Sequence, residues 1–175
     1  VLAVVILNPV PEKPKSAAAV NNLPLGELML TTALAFLVAI VGAVVAGNGA
    51  AKACVGWPLC QGELWPADQG AFQLVNMLHR LLAGGLGIML LILLIQVWTS
   101  RGATPVKLRN ALYWAAGLYV LQAALGAFIV LLNGPELMFV LRSLHVAFAA
   151  ATWSAMIVAS GFAWLHRQEL STRLS

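Results

Sequence analysis

The stretch AFQLVNMLHRLLAGGLGIMLLILLIQVW (residues 71–98) decides the fold. It is longer than the roughly 20 apolar residues that carry an α-helix across a bilayer. Its only ionisable residues, His79 and Arg80, sit side by side near its start. Lipid offers no partner to an open strand edge, so such a run crosses as a helix. Three further runs of the same kind occupy about residues 28–47, 111–132 and 137–165. The whole chain is 61% hydrophobic and only 9% charged, where soluble domains carry roughly 25% charged residues. The fold class expected is an all-α integral membrane protein, a bundle of four transmembrane helices. The net charge of +4 then marks loop orientation rather than nucleic-acid affinity, and no nucleic-acid partner is expected.

Residues 1–27 read as a linker, or as the tail of a preceding segment. VLAVVILNPV at the start is too short to span, and residues 11–27 hold three prolines and mixed charge. Residues 166–175 read as a tail after the last span. Lys13 and Lys15 precede the first span, Arg101, Lys107 and Arg109 join the second to the third, and Arg167 and Arg173 follow the fourth. The opposite side carries Lys52 with Glu63, Asp68 and Glu136. Lys and Arg concentrate in cytoplasmic loops, so both ends are expected in the cytoplasm, with the 48–70 loop outside. The setting expected is a bacterial or archaeal plasma membrane.

The chain also repeats itself. The first span ends VGAVVAGNG and the third LGAFIVLLNG; the second carries VNMLHRLLAG and the fourth LRSLHVAFAA. This order predicts two helical hairpins related by a pseudo-twofold axis along the membrane normal. It sets His79 opposite His145, each about eight residues into its span, or on the order of 12 Å below the surface. An ionisable residue at that depth is costly and faces the protein interior. A lone histidine there would more often bond to a neighbouring helix. Two at matched depth favour axial ligation of a haem by neutral imidazoles. Ala83, Gly87 and Ala149 beneath them leave room for a flat macrocycle, while Gly84, Gly85 and Gly87 equally suit close helix packing. Zinc would want about four ligands, and no third one lies at this depth. Arg142, three residues before His145, and Arg80 are candidates to pair with haem propionates, or they snorkel to the interface. Asn76 lies three residues before His79, and His166 at the far end reads as interfacial.

CVGWPLC (residues 54–60) holds the only two cysteines. A free thiol pair, a metal clip and a disulfide are the options. An oxidising exterior allows a Cys54–Cys60 disulfide, Pro58 restricts the backbone between them, and Trp57 suits an interface.

Taken together, NGAAKACVGWPLCQGELWP, NMLHRLLAG, LQAALGAFIVL and LRSLHVAFA resemble the haem A synthase family over about residues 28–165. The resemblance implies oxidation of a haem O methyl to the formyl of haem A, for use by cytochrome oxidase. It implies eight spans in two similar four-helix halves, each with a histidine pair. His79 and His145 would then hold the iron of a b- or o-type haem, and Cys54 and Cys60 would form an extracytoplasmic disulfide, static or redox-active. The family places a Glu where this chain has Asn76, and an amide cannot act as a carboxylate base. Enzymatic activity therefore stays open. The chain is expected to act as a second, haem-holding half, as a homo-oligomer, or as a haem-binding relative without synthase activity. The rival readings are a haem b electron carrier or accessory subunit of a respiratory or photosynthetic complex, and a structural subunit without cofactor.

Overall fold

In the computed structural model, residues 24–100, 104–132 and 134–174 are described. They form four helices, α1 (Leu25–Gly47), α2 (Ala71–Thr99), α3 (Val106–Leu131) and α4 (Pro135–Leu174). All four are long and apolar enough to cross a membrane. One-turn 3-10 helices at Ala50–Lys52 and Ala67–Gln69 punctuate the loop between α1 and α2.

Helix ends differ from the hydropathy limits for local reasons. Pro24 precedes α1 and its carbonyl accepts from Leu28 N–H at 2.9 Å, so the helix takes in residues 25–27 of the expected linker. The remainder of that linker, with Lys13 and Lys15, lies outside the described residues, as does Arg101. Pro105 starts α3 in the same way, its carbonyl accepting from Arg109 N–H at 3.0 Å, five residues ahead of the apolar run. Pro135 opens α4, where a missing N–H costs nothing. The polar segment from 166, expected as a tail, continues α4 to Leu174. It contains neither Gly nor Pro, and Leu170 is buried. Hydropathy marks where a helix leaves lipid, not where its hydrogen-bond ladder stops.

The helices pack in a ring: α1 against α2 and α4, and α3 against α2 and α4. The diagonal pairs, α1 with α3 and α2 with α4, make no close backbone approach. Leu28, Leu86, Leu93, Leu108, Leu112 and Met156 belong to one buried cluster that draws on all four helices. It fills the half of the bundle away from the 48–70 loop. In the loop-side half the buried groups split. Leu125, Ile129, Met138 and Leu141 pack within the α3–α4 hairpin, while Met77 packs against Cys54 and Cys60. The histidines lie in this divided half. Large side chains such as Trp114 and Phe139 point outward, which suits lipid contact.

Candidate functional site

His79 projects from α2 and His145 from α4, the two helices on one diagonal. Counting from the helix starts, they lie about 12 and 15 Å deep. Their ring centroids are 6.4 Å apart and their planes cross at 80°. Metal–imidazole bonds run about 2.0–2.1 Å, so linear ligation by two rings of about 1.1 Å radius needs roughly 6.3 Å between centroids. Rings on a common axis can take any mutual rotation about it, so the 80° angle is compatible with that arrangement.

Each ring rests on the other helix of its own hairpin. A Cβ built at Gly42 of α1 would stand 2.8 Å from His79 Cε1, and one at Gly126 of α3 would stand 3.1 Å from His145 Cε1. Only glycine leaves these rings where they are. Four residues before Gly126, the Gln122 carbonyl lies 2.7 Å from His145 Nδ1. A carbonyl can only accept, so Nδ1 carries the proton and Nε2 keeps a lone pair. This is the outer-shell arrangement that orients metal-ligating histidines. Four residues before Gly42, the Val38 carbonyl lies beside the His79 ring, but His79 Nδ1 is buried without hydrogen-bond geometry to any partner. Among the described residues no group of three or more His, Cys, Asp or Glu gathers as a metal cluster.

The small face under His79 is occupied rather than open. The Tyr119 hydroxyl donates to the Ala83 carbonyl at 2.8 Å, and a Cβ at Gly87 would meet that hydroxyl at 2.5 Å. On the loop side of this tyrosine the two hairpins share no buried cluster. Arg142 is exposed on α4, and His166 is half-buried near its end.

Cys54 and Cys60 form a disulfide with Cα atoms 4.7 Å apart, and both are fully buried. Arg80 turns toward this loop. Its Nη1 donates to the carbonyls of Gly56 (2.8 Å), Leu59 (3.0 Å) and Pro58 (3.2 Å), and its Nη2 to that of Cys54 (3.2 Å). Its Nε donates to Asn76 Oδ1 at 2.9 Å. The sequence suggests haem propionates or the interface as surroundings for Arg80; in the fold its guanidinium reaches the loop carbonyls and Asn76. Asn76 is 4% exposed, and its Nδ2 donates to the carbonyls of Ala50 (2.7 Å) and Ala51 (3.2 Å). Lys52 Nζ reaches the Leu132 carbonyl at 2.9 Å, tying the loop to the end of α3.

These bonds explain the amide at position 76. It donates to two carbonyls and accepts from a guanidinium, and a carboxylate can do only the last. Asn76→Asp keeps the shape but turns an oxygen toward the Ala50 and Ala51 carbonyls. The expected loss is about 1–3 kcal/mol, read as earlier thermal unfolding of the detergent-solubilised protein. An unchanged transition would mean that the amide donors do not matter.

Gly42, Gly126, Gln122 and Tyr119 were not candidates from sequence. Both glycines lay in the repeated VGAVV and LGAFI segments, and that repetition was the signal that could have found them.

The chain is 35% identical over 122 residues to a protein named Heme A synthase from Symbiobacterium thermophilum, covering 69% of this chain and 38% of that one. It is 27% identical over 137 residues to a Heme A synthase from Shouchella clausii, covering 78% and 44%. It is also 32% identical over 139 residues to Protoheme IX farnesyltransferase 1 from Natronomonas pharaonis, covering 79% and 27%. The chain thus spans less than half the length of these relatives. No solved structure matches it. The sequence model of the family described as cytochrome oxidase assembly protein, COX15-CtaA, matches residues 67–173, which is most of the chain and includes both histidines. The chain belongs to this COX15-CtaA family of cytochrome oxidase assembly proteins.

Proposed function

We propose that this four-helix unit holds one haem, of b or o type, between His79 and His145, and serves haem A synthesis in that capacity. The observation that carries the reading is the approach of two imidazoles on diagonal helices to a centroid separation of 6.4 Å, a spacing of the order that ligation of one metal between them needs. The His145 tautomer supports it, because Nε2 is left free to bind metal. The matched backing of the rings by Gly42 and Gly126 supports a two-hairpin repeat. When bound, haem would supply redox-active iron; His79 and His145 would hold it, with the Gln122 carbonyl orienting the His145 ring.

Conversion of the haem O methyl to a formyl would require the carboxylate that the family resemblance expects three residues before the first histidine. Asn76 stands there, engaged with Ala50, Ala51 and Arg80. This favours haem holding over methyl oxidation within this unit. Lys107, Arg109 and Arg167 lie at the end opposite Glu63, Asp68 and Glu136, which supports cytoplasmic ends, an external loop and a plasma-membrane location. A disulfide suits that oxidising side.

A second reading has its own observation. Nearly four-fifths of the chain matches about a quarter of a protein named for protoheme IX farnesyl transfer. In that reading the unit presents haem to a prenylating partner instead of an oxidising one.

The test is to express the chain with haem b and haem O both supplied, purify it, and identify the extracted haem. Low-spin haem b or O without haem A is the expected result. Accumulation of haem A would move the oxidation into this unit, and absence of a Soret band would overturn haem binding.

A further inference from the structure

We infer that Arg80 is a positioning residue: it locks the disulfide loop onto α2 and thereby fixes the pose of His79. The inference rests on the haem-holding reading for its spectroscopic consequence, but the lock itself is a property of the loop. The carbonyls that Nη1 and Nη2 reach belong to Cys54, Gly56, Pro58 and Leu59. All four lie within the ring of chain closed by the Cys54–Cys60 bond. A single guanidinium, with five donors in a rigid fork, thus sits in a cage of neutral carbonyls prearranged by the disulfide.

The other end of the lock is on the helix. Nε donates to Asn76 Oδ1 one turn earlier, and Asn76 in turn holds the Ala50 and Ala51 carbonyls. Residues 76 and 80 flank His79 on α2. Successive residues are about 100° apart around a helix, so holding Arg80 against the loop fixes the rotation of α2 at His79. His79 needs that help. The Val38 carbonyl lies beside its ring but its Nδ1 does not reach hydrogen-bond geometry, whereas His145 Nδ1 lies 2.7 Å from the Gln122 carbonyl.

Lysine keeps the charge but is a compact point with three donors, so Arg80→Lys should retain part of the lock and Arg80→Gln little of it. Two readouts apply to the haem-loaded full chain. The first is the rate at which a mild dithiol opens Cys54–Cys60, trapped by alkylation. We expect Arg80→Gln to speed opening about tenfold or more, with Arg80→Lys between it and wild type. The second is the ferric low-spin EPR spectrum, whose g anisotropy reports the angle between axial imidazole planes. We expect it to shift in Arg80→Gln while a Soret band remains.

Wild-type thiol kinetics in Arg80→Gln would overturn the lock. An unchanged EPR spectrum with faster opening would overturn the link to His79. If the wild type binds haem but not its dimethyl ester, and Arg80→Gln weakens binding of the free acid alone, Arg80 is a propionate partner and the inference fails. A wild type without haem sinks the haem-holding reading and the link to ligation, while the thiol kinetics still decide the lock. If Arg80→Gln does not accumulate, Arg80→Lys carries both measurements. Wild-type behaviour of that variant in both would overturn the requirement for the arginine fork.

Discussion

Alanine at both His79 and His145 should abolish the Soret band of protein purified from haem-replete membranes, if the pair holds the haem as proposed. Each single substitution should leave one imidazole nitrogen and convert a low-spin spectrum to a high-spin one. Losing an outer-shell partner of a metal ligand already costs roughly 10–100-fold in affinity, so losing the ligand itself should exceed about 100-fold. The two singles should not be equal. His145 is oriented by the Gln122 carbonyl at 2.7 Å, while His79 Nδ1 lacks such a bond. The better-held ligand contributes more, so His145→Ala should bind haem more weakly than His79→Ala. A low-spin spectrum surviving in the double variant would remove the axial assignment altogether.

The crossing helices were legible because the bilayer imposes one strong rule: about 20 apolar residues for each span. Their ends were not, since Val106–Asn110 and the stretch from His166 onward are polar yet stay helical. Proline placement, not hydropathy, sets those starts. The depth of the two histidines can be counted from the sequence, and a two-hairpin repeat implies α2 and α4 on one diagonal, as the packing has them; the details of that packing cannot be read. They depend on which faces pack, and almost every face of these helices is apolar. Arg80 shows a different limit. Next to a histidine and near an interface it suggests propionate pairing or snorkelling; that a loop folds back over the helix and offers it four carbonyls is not visible in the sequence. A guanidinium is donor-rich wherever it lies; which acceptors reach it depends on tertiary structure. Asn76 reads from sequence as a missing carboxylate. In the fold it is an amide matched to two carbonyls and an arginine.

Gly42→Ala should separate haem binding from stability, because its two effects have opposite signs. Within a helix, alanine is favoured over glycine by roughly 0.5–1 kcal/mol, so the substituted apoprotein should unfold no earlier than wild type. The added Cβ, however, would stand 2.8 Å from His79 Cε1 and 3.4 Å from Nδ1. Carbon atoms make their best contact at about 3.5–4.0 Å, so the imidazole must retreat by several tenths of an ångström. A ring displaced by that much would leave the position, 6.4 Å from the His145 ring, from which it is proposed to hold the iron. Haem occupancy should therefore fall about tenfold or more, with high-spin character in what remains. Gly126→Ala places its Cβ 3.1 Å from His145 Cε1, a milder conflict, so its loss should be smaller. Gly84→Ala, where nothing lies within 4 Å of the new carbon, serves as the control: it shares the helix-propensity gain and should leave haem unaffected. Equal haem content in Gly42→Ala and Gly84→Ala, measured per mole of folded protein, would show that the ring does not hold the axial position assigned to it. A parallel loss of stability and haem in Gly42→Ala would point to disrupted helix packing instead of a displaced ligand.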